Sequence, residues 1–184
     1  MLNTAKTKMN RIKLSFATLS ILWVAFAFMT NQEWKITKEH SVQFSNNDVA
    51  GVFKKMDGKV TFDAANLATS RFEFSIDLSS VNTGNESQNG HIKNSDWLDV
   101  TKYPNATFIT SSITKAEDGY IANGIFDLHG TKKEIAIPFK FEEAKGGAKI
   151  SATFTFNRWE YGVGNEKDGV DPKMKIEVSL PVKK

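Results

Sequence analysis

No cysteine occurs anywhere in the 184 residues, which excludes disulfides, zinc-thiolate sites and a lipidated N-terminal cysteine. The chain holds three histidines, His40, His91 and His129, in no HxH or HExxH spacing, so no metal site is expected. No GxSxG elbow presents a nucleophilic serine. Asp96 and Asp99 stand near His91, but at i and i+3 on a short wet helix they read as solvated charges and not as an acid-base pair. Basic residues are scattered among acids without forming a stripe, which leaves no electrostatic footprint for nucleic acid.

Only one apolar run is long. Leu14 to Met29 carries no charge and follows Lys6, Lys8, Arg11 and Lys13, the arrangement of an export signal. Its length lies between a secretory core and a short membrane span, so residues 1–30 read as a signal peptide or, uncleaved, as an N-terminal membrane anchor. Ala25-Phe26-Ala27 supplies a small-x-small cleavage pattern. The formal charge of +3 belongs to this leader: taking its four basic residues from 24 leaves the 21 acids one ahead. The remainder, 33–184, has the length of one domain with a substantial core.

From Trp34 onward, apolar residues recur at a spacing of two, the mark of strands with one buried face. Val42 and Phe44, Val60 and Phe62, and Phe72, Phe74 and Ile76 begin the series. Later runs are Tyr120 to Leu128, Ile135 to Phe141, Ile150 to Phe156 and Ile176 to Leu180, each with polar partners on the other parity. Asp57-Gly58, Asp118-Gly119, His129-Gly130 and Gly146-Gly147 read as hairpin turns, since each supplies positive φ at little cost. Residues 157–173 read as a long loop at a rim. One helix is expected, capped by Asn85 or Ser87, turning Ile92, Trp97 and Leu98 to one side and ended by Pro104. The fold class is therefore all-β: about eight strands joined up and down and closed into an antiparallel barrel, with one or two short helices inserted around residues 86–98. A β-sandwich is the competing architecture.

Fourteen phenylalanines against three tyrosines and four tryptophans need an explanation. Side chains of the inward parity either plug an eight-stranded barrel or leave room for one ligand. The candidate lining on the N-terminal strands is Phe44, Val60, Phe62, Phe72, Phe74 and Ile76. Trp97 and Leu98 follow from the helix, as a lid or a plug, with Trp97 expected near a rim because its N–H needs a partner. Phe108, Ala122, Phe126, Ala152, Phe154 and Phe156 complete the set. Small inward residues, Ala122, Gly124 and Ala152, favour open space. Lys93, Lys102 and Arg158 are the cations able to meet a polar headgroup.

The stretch GHIKNSDWLDVTKYPNATF from Gly90 to Phe108 resembles the signature block of the YceI-like family. Further likenesses fall in the family's order: Trp34, then HSVQF at 40–44, Gly51 with Phe53, and Asp57-Gly58 to Asp63. Ser80-Val81 with Thr83, and Gly124 through Gly130-Thr131-Lys132, complete the series. The resemblance runs from about Trp34 to Val182. It implies a lipocalin-like barrel of the bacterial periplasm that holds an isoprenoid quinone, polyprenyl species or similar long-chain amphiphile and has no other cofactor. It leaves the oligomeric state open, a dimer included. Two places depart from the pattern: the short Lys145-Gly146-Gly147 turn, and Arg158-Trp159-Glu160-Tyr161-Gly162 in place of Arg-x-Asp-aromatic-Gly. The sequence thus points to an exported, non-enzymatic carrier, store or scavenger, against two rivals: a solidly packed barrel that binds a protein partner, and an isoprenoid-modifying enzyme.

Overall fold

A computed structural model describes residues 32–184. The signal peptide or anchor expected over residues 1–30 lies outside the described residues. Alternating burial along the strands comes directly from the period-two pattern: β8 (Gly119–Leu128) buries Tyr120, Ala122, Gly124, Phe126 and Leu128 and turns the residues between them outward.

Eleven strands pair into one closed sheet. The first six are short: β1 (Glu33–Ile36), β2 (Ser41–Ser45), β3 (Ala50–Phe53), β4 (Met56–Thr61), β5 (Arg71–Asp77) and β6 (Val81–Asn82). After the helix α1 (Glu86–Lys93) come long ones: β7 (Asn105–Ala116), β8, β9 (Thr131–Ala144), β10 (Gly147–Asn157) and β11 (Lys173–Lys183). All neighbours are antiparallel, and closure comes from β1 pairing both β4 and β11.

The eleven strands make eight staves. β2 continues β1 along β11, with Thr37 N–H donating to Pro181 O at 2.9 Å between them. β4 continues β3 across Lys54-Lys55, and β6 continues β5 across the 3₁₀ turn Leu78–Ser80. Each N-terminal stave is thus one strand with a break, and the expected up-and-down barrel of about eight strands is the observed one.

Three tight hairpins join the long staves. Their two-residue turns are Glu117-Asp118, His129-Gly130 and Lys145-Gly146, so two expected turns sit one residue earlier than the glycine signal suggested. Asp57-Gly58 is no turn: both residues lie inside β4, opposite Ser75 and Phe74. The helix also differs. Asn85 caps it by accepting from Gln88 N–H at 3.1 Å, but it ends at Lys93, and Trp97 and Leu98 sit in the turns that follow. The Asn94 side of that end is held by Trp97 and Asp99 N–H groups donating back to Asn94 O.

Candidate ligand chamber

Inward side chains enclose two chambers that share a wall. The upper one, about 100 Å³, lies under α1 and is bounded by Phe44, Ile76, Phe126, Phe154 and Phe156. The lower one, about 80 Å³, lies at mid-barrel among Phe72, Phe74, Phe108, Ala122 and Ala152. Val42, Ile76, Ala106, Phe126, Phe154 and Ile176 border both, so the two are neighbouring stages of one apolar interior, divided by these side chains. Among the lining residues, Arg158 is the only charged side chain of the upper stage and Thr107 the only polar one of the lower.

The floor is a packed aromatic cluster. Phe62 lies 4.4 Å from Phe141, 5.0 Å from Tyr120 and 5.7 Å from Phe139 between ring centroids. Trp34 stacks edge-on against Phe141 at 5.2 Å and donates its indole N–H to Phe62 O at 3.0 Å. Val60 and Phe62, expected as lining, therefore belong to this floor and border neither chamber. Their parity is inward as expected, but their level in the barrel is below the void.

The roof is made by Ile92, Trp97, Leu98 and Val163, all buried. Arg158 pins it. The sequence pattern grouped Arg158 with the headgroup cations, and the structure corrects that reading: the side chain is 2 % exposed and every N–H has an acceptor. Its two terminal nitrogens form a fork on Asp168 at 2.8 and 2.7 Å and also donate to Val163 O and Val170 O, while Nε donates to Asp171 O at 3.4 Å. The guanidinium face lies 4.7 Å from the Trp97 ring centre. With its five donors committed, Arg158 ties the loop after β10 to the roof and has none left for a ligand. The hydrogen bonds from Arg158 hold the Asp168 carboxyl far below the usual carboxylate range.

Lys93 and Lys102 border neither chamber. Lys102 is exposed, with its ammonium 5.1 Å from the Tyr103 ring centre. The three cations expected to meet a headgroup are thus not assembled into one site. Gly124 also has a different role from the one expected. A β-carbon there would stand 2.3 Å from Ile109 O, because β7 bulges between Thr110 and Ser112 and its backbone fills the space. Gly124 admits the neighbouring strand, whereas Ala122 and Ala152 do leave room in the lower chamber.

Lining residues that the sequence pattern did not single out include Met56, Val163 and Met174. Met174 starts the last strand at the right parity and was readable. Val163 was not, because it reaches the roof from a loop with no period.

An engineered apolar cavity of roughly 150 Å³ takes up one benzene, and drug-sized sites run to roughly 300–1,000 Å³. The chambers seen here therefore hold a short stretch of hydrocarbon and not a forty-carbon chain. Their walls nonetheless exclude any strongly polar guest, since a buried polar group without a partner costs about 1–3 kcal/mol.

Comparison with known proteins agrees with this architecture. Residues 34–182 match the model of the YceI-like domain. Proteins named YceI from Shigella flexneri and from an Escherichia coli O17 strain are 33% and 32% identical over 116 residues, 59% of this chain and 61% of each relative. The chain thus spans about three fifths of the length of these relatives. YceI of Salmonella arizonae is 29% identical over 140 residues, covering 72% of this chain and 73% of the relative. Among solved structures, Burkholderia cenocepacia BcnA superposes with a TM-score of 0.73 at 25% identity, covering 79% of this chain and 96% of that one. A polyisoprenoid binding domain from Saccharophagus degradans shares the fold at a TM-score of 0.62 and 14% identity, covering 84% of this chain and 99% of that one. With its barrel, its apolar interior and a family match over nearly all the described residues, the chain belongs to the YceI-like domain family.

Proposed function

We propose that this protein is a non-enzymatic binding protein that shelters an isoprenoid or a similar long-chain amphiphile in the barrel interior, acting as a carrier, store or scavenger. The observation that carries this reading is the pair of adjoining chambers walled almost wholly by hydrocarbon. Family membership and a fold shared with a structure described as a polyisoprenoid binding domain support it. A guest there is held by apolar burial, at about 0.8 kcal/mol for each methylene-sized group removed from water. No hydrogen-bonding array inside dictates one headgroup, so recognition rests on the chain and not on the head. The leader pattern of residues 1–30 supports export, and the family supports the periplasm as its destination.

Native mass spectrometry of the protein purified gently from its own host, followed by organic extraction, tests the reading. A stoichiometric isoprenoid or other long-chain species is the expected result. An apo mass that stays unchanged on incubation with quinones and polyprenyl phosphates overturns it and returns the phenylalanines to an ordinary core. N-terminal sequencing of the protein from fractionated cells tests export: a mature end near residue 28 in the periplasmic fraction is expected, and an intact Met1 in the cytosol overturns it.

A further inference from the structure

The barrel has an unzipped wall. In a two-residue hairpin the residues flanking the turn exchange backbone hydrogen bonds, which fixes where every later N–H and C=O points. The flanking pairs are Leu128 with Thr131 and Ala144 with Gly147. Odd-numbered residues of β9 therefore address β8, and even-numbered ones address β10. The β8–β9 ladder covers all of β8 but its first residue, from Tyr120↔Phe139 to Leu128↔Thr131, and the β10–β11 ladder reaches Asn157↔Lys173. The β9–β10 ladder stops early, at Ala152↔Phe139. The next bonded pair would be Pro138 with Thr153, and proline has no N–H to give. Beyond it, Lys132, Glu134 and Ala136 of β9 have no strand partner on the β10 side.

This seam runs beside both chambers. Ile137, Phe139, Ala152 and Phe154 border the lower stage, and Phe154 and Phe156 the upper. Ala152, Phe154 and Phe156 are only half-buried, although they lie on the inward parity. The outer lip carries the uncharged Ala136 and Pro138, both exposed, between Glu134 and Lys140, and Ile125 of β8 is also turned outward at 37% exposure. A second place where pairing lapses, between β1 and β4, is unlike it: the groove there mixes Trp34, Ile36 and Met56 with five charged residues, Lys35, Lys38, Lys59, Glu33 and Asp57. Roof and floor are both packed, by the Arg158 network and the Phe62 cluster.

We infer that the β9–β10 seam is a lateral binding slot that receives the part of an uncharged isoprenoid chain the chambers cannot hold. The inference rests on the proposed binding function and adds where the chain lies. It reconciles the small chambers with a long guest, because a chain leaving sideways between Phe154 and Ile137 passes apolar side chains inside and uncharged ones outside, Ala136 and Pro138 on one lip and Thr153 and Thr155 on the other. Pro138 keeps the slot open by withholding one ladder bond.

The test is a chain-length series, geraniol, farnesol and geranylgeraniol, titrated by tryptophan fluorescence, with Trp97 on the chamber wall as reporter. The parent protein is expected to bind more tightly with each added isoprene unit. Two variants close the slot: Pro138→Thr, which restores the N–H, and the pair Ala136→Cys with Thr155→Cys, which a disulfide locks in a chain that has no other cysteine. Closure is expected to weaken geranylgeraniol by at least about tenfold and to leave geraniol unchanged, with reduction of the disulfide restoring the parent's length dependence. Closed variants that keep the full length dependence, or that lose all three alcohols equally, overturn the slot while leaving the barrel as a binding protein. A parent that binds none of the three overturns the binding function itself, and the slot with it.

Discussion

The floor and the upper interior of this barrel are built from the same residue type on the same strand parity, yet one is solid and the other is hollow. At the floor, Phe62 is 1 % exposed and touches four other aromatic rings, so the interior closes on itself. Higher up, Phe154 and Phe156 also meet rings, at 6.3 and 5.5 Å from the Phe126 centre, but Ala106, Val42 and Ile176 fill less of the width beside them and space remains. Whether a phenylalanine is core or lining depends on the size of what faces it across the barrel, a distance of many residues in sequence. Aromatic count alone does not separate the two.

Truncation should separate them by energy. Phe62→Ala removes a fully packed ring and is expected to lower unfolding free energy by about 4 kcal/mol in urea titrations. A loss below that of Phe154→Ala would show that the floor is no better packed than the chamber.

The roof offers a second contrast, because it is held by charge where the floor is held by rings. Asp168→Asn leaves Arg158 charged, buried and unmatched, with an expected cost of about 3 kcal/mol. The pH dependence has a definite sign. The Asp168 carboxyl lies well below its ordinary value of 3.8 in the folded state, so its stabilisation is fully present above about pH 4. It disappears as the pH falls toward the folded-state value. The gap in stability between parent and Asp168→Asn should therefore be constant from neutral pH down to about 4 and shrink below it. A gap that widens on acidification would remove the Arg158 fork as its cause.

Smaller effects belong to the hollow half. Phe154→Ala enlarges an existing space from a half-buried position and is expected to cost about 1.5 kcal/mol, well under the floor substitution. Ala152→Leu adds three methylene-sized groups beside the lower chamber and should change stability by less than about 1 kcal/mol while weakening farnesol binding. Marked destabilisation with binding intact would mean that the chamber is closed space in solution.

Much of this was legible in the residues. The staves from β8 to β11 follow from period-two patterning, and the helix start from an Asn85 cap. The hairpins were placed within a residue, because Gly119, His129, Gly130 and Gly146, in or beside the turns, take positive φ. Phe44, Phe72, Phe126 and Phe154 were assigned inward for the same reason and lie there. Asp57-Gly58 misled, since a turn dipeptide inside β4 is tolerated where Gly58 lets the Phe74 ring and the Glu73 carbonyl approach closely. Arg158 misled because charge is read as exposure unless its partner, ten residues away in a loop, is known.

The sequence by itself determined the strands, their inward faces, the lack of disulfides and the family, because each depends on residues near one another in the chain. Only the tertiary structure decided which inward rings pack and which border space, that Arg158 closes the roof, and that the wall stops pairing at Pro138. Those outcomes depend on what stands across a closed barrel, and closure brings together residues whose fit no local pattern records.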